Sequence, residues 1–402
     1  MKSPVFLVAA FCVALVLTLM GFMAPAAVLG DIIRDWQLSN TQAGWLGGAL
    51  FGGYILTVPV LTAYTDRVDP KRIYLSCAAL GAIGNFGFGL VADDLWSGVA
   101  FRLLTGIGLA GTFMPGLKAL TDQLTGDRAQ QRGATYYTSC FALGSGLSIL
   151  VAGTAADLLD WRSAFVAAGA GGAVAFLIVA AVLPSKPSDP AARPPGAALD
   201  FRPVLKDRAV MAYVVASLGV AWEVFSSRVW LVTFFLFLQT RMAGAETGWS
   251  PAVWATVVAL VGVPTAMFIG EMSVRYDRRR ILIGTAIVSA ALCLAIGLTV
   301  EGGYTLSLVL CIAFGMFSYG RSSSTTAGTV AVADPKRRGS ALAVQAFIGF
   351  SGGILGPLAY GIALDAAGGS GTAAAWAIAM FVMAVGPVLT VLALFCLPRK
   401  AR

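Results

Sequence analysis

Apolar stretches about 20 residues long, each enough to cross a hydrocarbon core about 30 Å thick, recur along the whole chain. By hydropathy they fall near 5–29, 41–63, 73–92, 96–120, 133–155 and 162–183, and then near 209–238, 251–273, 281–299, 304–329, 339–364 and 375–397. Each is about twice the length a barrel strand needs, so helices are implied. Composition points the same way. The 402 residues are 58% hydrophobic and 12% charged, against about 25% charged in ordinary globular chains. So little polar surface cannot keep that much apolar material out of water, and lipid is the alternative solvent. The expectation is an all-α membrane protein of twelve transmembrane helices.

The twelve stretches form two sets of six. Between them runs Pro184-Ser-Lys-Pro-Ser-Asp-Pro-Ala-Ala-Arg-Pro-Pro-Gly196, where proline rings fix the backbone and remove donors, so no helix continues. The domains read as a bundle over 1–183, a cytoplasmic linker over 184–208 with a short surface helix around Leu199–Asp207, and a second bundle over 209–402. A polar signature is written once in each set. Tyr64-Thr-Asp66-Arg67-Val-Asp69-Pro70-Lys71-Arg72 precedes the third stretch, and Arg275-Tyr-Asp277-Arg278-Arg279-Arg280 precedes the ninth, with Asp66 and Asp277 211 positions apart. Duplicated bundles of this kind are mostly transporters.

With both termini on the cytoplasmic side, 21 Lys and Arg residues fall in inner segments, and only Arg34, Arg162 and Arg241 in outer ones. That is the asymmetry expected of a protein in a bacterial cytoplasmic membrane. The net charge of +8 is therefore an orientation signal and no argument for nucleic acid. The first stretch is too long for a signal-peptide core and reads as a retained span. All six cysteines fall inside spans, where they read as small packing residues. The absence of histidine excludes a His-based metal site or proton relay. No Gly-rich loop ending in Gly-Lys-Ser/Thr is present, so ATP is not the energy source. No cofactor is called for.

These residues make the chain resemble the major facilitator superfamily over essentially its full length. Asp66, Arg67, Lys71 and Arg72 match the family's loop signature after the second span, although Thr62 and Asp69 stand where the family usually has glycines. The resemblance implies two six-helix bundles around a central cavity that opens alternately to each side, a monomer, and a cytoplasmic gate involving Asp66, Arg67, Asp277 and Arg278. Arg102-Leu-Leu-Thr-Gly106-Ile-Gly108 is similar to the family's fourth-span signature, in which the arginine is associated with proton coupling or substrate access. The alternative is structural: Arg102 lies about two turns from the outer end of its span and could snorkel there, or bond backbone carbonyls of a neighbouring helix. The fifth span lacks the Gly-Pro signature usual in the family's drug–proton antiporters.

Ionisable residues deep in spans are costly and are functional candidates by default. Here they are Arg102, Glu223, Arg228 and Arg321. Glu223 and Arg228 are five residues apart, about 140° around a helix, so they do not face each other. Arg321 precedes the hydroxyl run Ser322–Thr326, which reads either as a hydrophilic wall or as side chains bonded to their own helix. Three positive groups against one negative favour an anionic cargo. The leading expectation is a secondary active transporter of a small organic anion, coupled to protons. Arg228 and Arg321 would bind the anion beside Trp222 and Tyr319, Glu223 would carry the proton, and Arg102 would tune access or coupling. Glu223 could instead simply offset one arginine. The alternatives are proton-coupled efflux of amphiphilic compounds through an aromatic pocket, and a non-transporting sensor or scaffold. No nucleophile–base pair suggests an enzyme.

Overall fold

The computed structural model describes residues 3–64, 68–185, 201–241, 248–334 and 337–396. Among them there is no strand, and twelve helices are long and apolar enough to span a membrane. In chain order these are α1 (Pro4–Gly21), α2 (Asn40–Leu61), α3 (Pro70–Leu90), α4 (Leu95–Thr121), α5 (Arg128–Leu158) and α6 (Trp161–Val182). The second set is α7 (Arg208–Arg241), α8 (Pro251–Arg275), α9 (Arg278–Leu298), α10 (Tyr304–Val332), α11 (Arg338–Ala366) and α12 (Ala373–Phe395). A short helix, Arg202–Lys206, precedes α7. Large apolar side chains such as Leu56, Leu177, Met267, Leu298 and Leu392 remain exposed along the helices, a surface suited to hydrocarbon rather than water.

The chain divides into two compact units, 1–36 with 49–195, and 37–48 with 196–402. In the first unit α3 packs along α4 and α6, and α1 along α5 and α6. In the second, α7 packs along α11 and α12, α8 along α10, and α9 along α10 and α12. Close backbone approach is what the glycines supply. A Cβ on Gly106 of α4 would strike the Leu50 carbonyl of α2. A Cβ on either Gly219 of α7 or Gly386 of α12 would strike the carbonyl of the other.

Helix starts carry four unpaired amides that need acceptors, and short polar caps supply them. Asp69 accepts from the Lys71 amide at 2.9 Å, Asp94 from the Ser97 amide at 2.7 Å, Asp160 from the Ser163 amide at 2.7 Å, and Asp277 from the Arg279 amide at 3.0 Å. Asp69 and Asp277 begin α3 and α9 and lie 208 positions apart, which gives the structural register of the repeat. Two residues after each cap, a cation reaches the end of the last helix of its own half. Lys71 donates to the carbonyls of Ala180 (3.0 Å) and Leu183 after α6, and Arg279 to that of Phe395 (2.7 Å) in α12.

Residues 37–48, read from sequence as part of the first bundle, belong to the second unit. Asp365 of α11 explains the attachment. Its carboxylate accepts from the Asn40 amide (3.0 Å) and side-chain amide (2.7 Å), and from the Thr41 amide (2.8 Å) and hydroxyl (2.6 Å).

Three spans are broken where the sequence reading had them continuous, the last of them α12, which divides at Ala384 into Ala373–Met383 and Val385–Phe395. The first, expected to run to residue 29, leaves the α-helix after Thr18, makes one 3₁₀ turn over Leu19–Gly21, and resumes as Ala24–Ala27 and Leu29–Trp36. The second is α10, which divides at Arg321 into Tyr304–Gly320 and Ser322–Val332. Pro25 has no amide N–H for the Gly21 carbonyl, and Pro387 none for that of Met383, each four residues earlier; the break in α10 contains no proline and lies beside Gly320.

Candidate functional site

The break in α1 strips carbonyls of their helical donors, and Arg102 of α4 supplies replacements. Its Nη1 donates to the Gly21 carbonyl at 2.6 Å and its Nη2 to the Phe22 carbonyl at 2.8 Å, with the side chain 1% exposed. Ser148 of α5 accepts from the Met23 amide at 3.0 Å. A planar fork of donors suits two adjacent carbonyls in a way that a single ammonium would not. Arg102 thus fastens a non-helical segment that lipid would not tolerate unpaired.

In the second unit, Glu223 lies near the middle of α7 and points at α9 and α10. It forms an ion pair with Arg321, Arg321 Nη2 on Glu223 Oε1, and both side chains are 0% exposed. Ser289 of α9 donates to the other carboxylate oxygen at 2.8 Å. Arg321 Nη1 donates to the carbonyls of Thr285 in α9 (3.3 Å) and of Phe317 in its own helix (3.4 Å). The carboxylate therefore has a charged donor on one oxygen and a hydroxyl on the other. A buried charge is tolerable on those terms and expensive otherwise.

Arg228 faces a different way, as its place on the helix requires. Its guanidinium carbon stands 4.9 Å from the centre of the Tyr319 ring and 6.0 Å from that of Phe225, and the side chain is half-buried. A cation over an aromatic face in that range is attracted by the ring's negative centre. The Tyr319 hydroxyl shares a 2.9 Å hydrogen bond with Ser227. Ser227, Arg228 and Tyr319 make one cluster between α7 and α10, and Glu223, Ser289 and Arg321 make another among α7, α9 and α10.

Trp222 joins neither, since its indole N–H donates to the Val382 carbonyl of α12 at 3.1 Å. The hydroxyl run after Arg321 is split. Thr325 bonds the Arg321 carbonyl at 2.9 Å, while Ser322, Ser323 and Thr326 are exposed. Asp277 caps α9, and Arg278 Nη1 donates to the Ala327 carbonyl of α10 at 3.3 Å. Asp66 and Arg67 lie outside the described residues. Sequence reasoning missed Ser289, one of two hydroxyl residues, with Thr285, in a mostly apolar helix with no signal to mark it. It also missed Asp69 as the cap of α3, although proline immediately after it at the first helical position was the available sign.

The sequence model of the Major Facilitator Superfamily matches residues 7–250 and 233–402. The chain is 30% identical over 166 residues to the 4-hydroxybenzoate transporter PcaK of Acinetobacter baylyi, a match covering 41% of this chain and 35% of that protein. It is 25% identical over 368 residues to Protein spinster of Drosophila melanogaster, covering 86% of this chain and 59% of that protein. It is also 31% identical over 159 residues to the 3-(3-hydroxy-phenyl)propionate transporter of Escherichia coli, covering 40% and 36%. The chain thus spans less than two thirds of the length of these relatives. In fold it is similar to a bacterial homologue of the human lysosomal transporter spinster, with a TM-score of 0.80 at 18% identity over 98% of this chain and 96% of that one. It is similar also to the nucleoside transporter NupG, with a TM-score of 0.77 at 16% identity over 98% of this chain and 100% of that one. With the family model running through both halves and twelve apolar helices in the matching fold, the chain belongs to the major facilitator superfamily of integral membrane transporters.

Proposed function

We propose that this transporter moves a small organic anion, an aromatic carboxylate by class, coupled to protons by alternating access. The observation that carries the reading is the Arg228–Tyr319 cluster. Glu223 and Arg321 face each other, and Arg228 brings a further guanidinium, half-buried over an aromatic ring. A guanidinium offers a planar fork to a carboxylate, and the Tyr319 face beside it offers an aromatic wall. The names of the hydroxybenzoate and hydroxyphenylpropionate transporters among the relatives support that class.

Glu223 is the proton carrier in this reading. A proton on its carboxyl cancels the charge that holds Arg321, and Arg321 is then available to the anion as a second ligand. Trp222, bonded to α12, stands apart from this ligand set, and Arg102 tunes coupling from the first unit. The loops holding Asp66-Arg67 and Asp277-Arg278 act as the cytoplasmic gate, in a bacterial cytoplasmic membrane with both termini inside. A second reading, an amphiphilic lipid as cargo, draws on the similarity to the sphingosine-1-phosphate transporter SPNS2 of Danio rerio, 22% identical over 83% of this chain.

The test is uptake of labelled 4-hydroxybenzoate into proteoliposomes with an imposed pH gradient. Arg228→Ala should cut uptake at least 10-fold with the melting temperature unchanged. Glu223→Gln should preserve exchange and abolish the response to the gradient. Wild-type uptake in Arg228→Ala removes the ligand assignment, and transport of a lipid amphiphile in place of the acid moves the conclusion to the second reading.

A further inference from the structure

Tyr319 of α10 is 8% exposed and is constrained from two sides, by α8 and by α7. On the α8 side stands Gly262, which is buried. A Cβ on that glycine would lie 2.5 Å from Tyr319 Cβ and 3.2 Å from its Cδ2. Two Cβ atoms cannot come so close, and each is fixed by its own backbone, so no rotation of the Tyr319 side chain relieves the overlap. Any other residue at 262 must push α8 off α10 or turn one helix on the other, and the Tyr319 ring moves with its backbone. The missing side chain therefore sets where that ring stands.

On the α7 side the constraint is a direction of hydrogen bonding. Ser227, 4% exposed, shares a 2.9 Å hydrogen bond with the Tyr319 hydroxyl. The serine proton is committed elsewhere, because Oγ donates to the Val224 carbonyl at 2.9 Å. Only its lone pairs remain, so Tyr319 is the donor. Arg228 hydrogen-bonds Tyr319 as well, and a guanidinium has protons but no lone pair to offer. The phenol oxygen serves it only as acceptor, which requires its own proton to point elsewhere, and Ser227 takes that proton. Donation thus runs in one order, from Arg228 to Tyr319, from Tyr319 to Ser227 and from Ser227 to the backbone. Each bond in such a chain polarises the next, and the guanidinium carbon rests 4.9 Å from the ring centre.

We propose that Gly262 and Ser227 are positioning residues for the anion site, the glycine placing the Tyr319 ring and the serine orienting its hydroxyl, so that Arg228 meets the cargo in a single pose. The inference rests on the anion reading for the cargo, and on the geometry alone for the aim of Arg228. Neither residue touches the transported molecule. Each acts through Tyr319, and only the half-buried Arg228 has to be reached. A guanidinium already held still loses less freedom on binding, so its aim is read as affinity.

The experiment has two arms, both on the purified full chain in detergent. The first uses no ligand. Melting shifts of Gly262→Ala and Arg228→Met should be non-additive in the double variant, because a ring already displaced has less to lose with Arg228. Gly219→Ala makes a comparable overlap, against the Gly386 carbonyl of α12, about 13.5 Å along α7 from Arg228. It should lower the melting temperature and add to Arg228→Met. The second arm is calorimetric titration with 4-hydroxybenzoate. Gly262→Ala should bind about 10-fold more weakly, and Gly219→Ala as the wild type does. Ser227→Ala and Tyr319→Phe should each lose several-fold, and together no more than either alone, since both remove one hydrogen bond. Additive melting of Gly262→Ala with Arg228→Met overturns the proposal, as does wild-type affinity in Gly262→Ala or in Ser227→Ala. Non-additive melting with no binding of 4-hydroxybenzoate by the wild type overturns the anion reading and leaves the positioning of Arg228 standing.

Discussion

Replacing Arg321 by methionine keeps an unbranched side chain of similar reach and removes the charge that faces Glu223. The carboxylate is then left with Ser289 alone, at 2.8 Å, in a place with no solvent access. Breaking a buried pair from one side costs about 3–5 kcal/mol. The chain has one escape, which sets a ceiling. Protonating a carboxyl of ordinary acidity costs roughly 1.4 kcal/mol for each pH unit above about 4.3, so close to 3.7 kcal/mol at pH 7 and near 1 kcal/mol at pH 5. The folded variant then holds a proton that the unfolded chain has released at these pH values, so its stability rises as pH falls. Glu223→Gln/Arg321→Met has no charge to neutralise and should show no such gain. The assay is thermal unfolding of the wild type and the two variants in detergent at pH 7 and pH 5. The single variant should melt well below the double at pH 7, and the gap should nearly close at pH 5. Equal melting of the two at pH 7, or a gap indifferent to pH, refutes the argument that the pair is held by charge in a dry site.

Arg102→Lys retains the charge but can serve only one of the Gly21 and Phe22 carbonyls well, so it should cost about 1.5–3 kcal/mol, read as a lowered melting temperature. Lys71→Met and Arg279→Met each remove a charged donor from the end of α6 or α12. Each should destabilise by about 1.5–3 kcal/mol, and the double variant should be additive because the two sites lie in different halves. Asp365→Ala leaves four donors of Asn40 and Thr41 unmet. It should cost about 1–2 kcal/mol and speed hydrogen exchange at residues 40–43, measured by mass spectrometry.

The spans were legible because lipid imposes one demand, a long apolar helix, that hydropathy reports directly. Their internal breaks were less so. Pro25 and Pro387 were signs available for those in α1 and α12, but Gly320 sits among 47 glycines, most of them in positions where a small residue packs, and nothing local marks it as the end of a helix. The partnership of Glu223 with Arg321 was hidden for a related reason. Which residue of one apolar helix meets which of another depends on rotation about the helix axes, and a helix that is apolar on all sides carries no stripe to fix that rotation. The i,i+5 argument separated Glu223 from Arg228 correctly because it needed only the geometry of a single helix. The repeat was legible as a duplication, but the eye fell on Asp66 and Arg67, whereas the matching caps among the described residues are Asp69 and Asp277.

The cations two residues past those caps also bear on how such a chain is made. Lys71 can reach its carbonyls only once α6 has emerged, and Arg279 only once α12 has. Each half therefore makes this one fastening with its own final helix. During synthesis, which proceeds from the N-terminus at about 5–20 residues per second, the fastening in the first half can be made while more than 200 residues of the second are still to be translated. A ribosome stalled beyond the proline-rich stretch would already hold α3 fastened to the end of α6, while Asn40 and Thr41 still awaited Asp365.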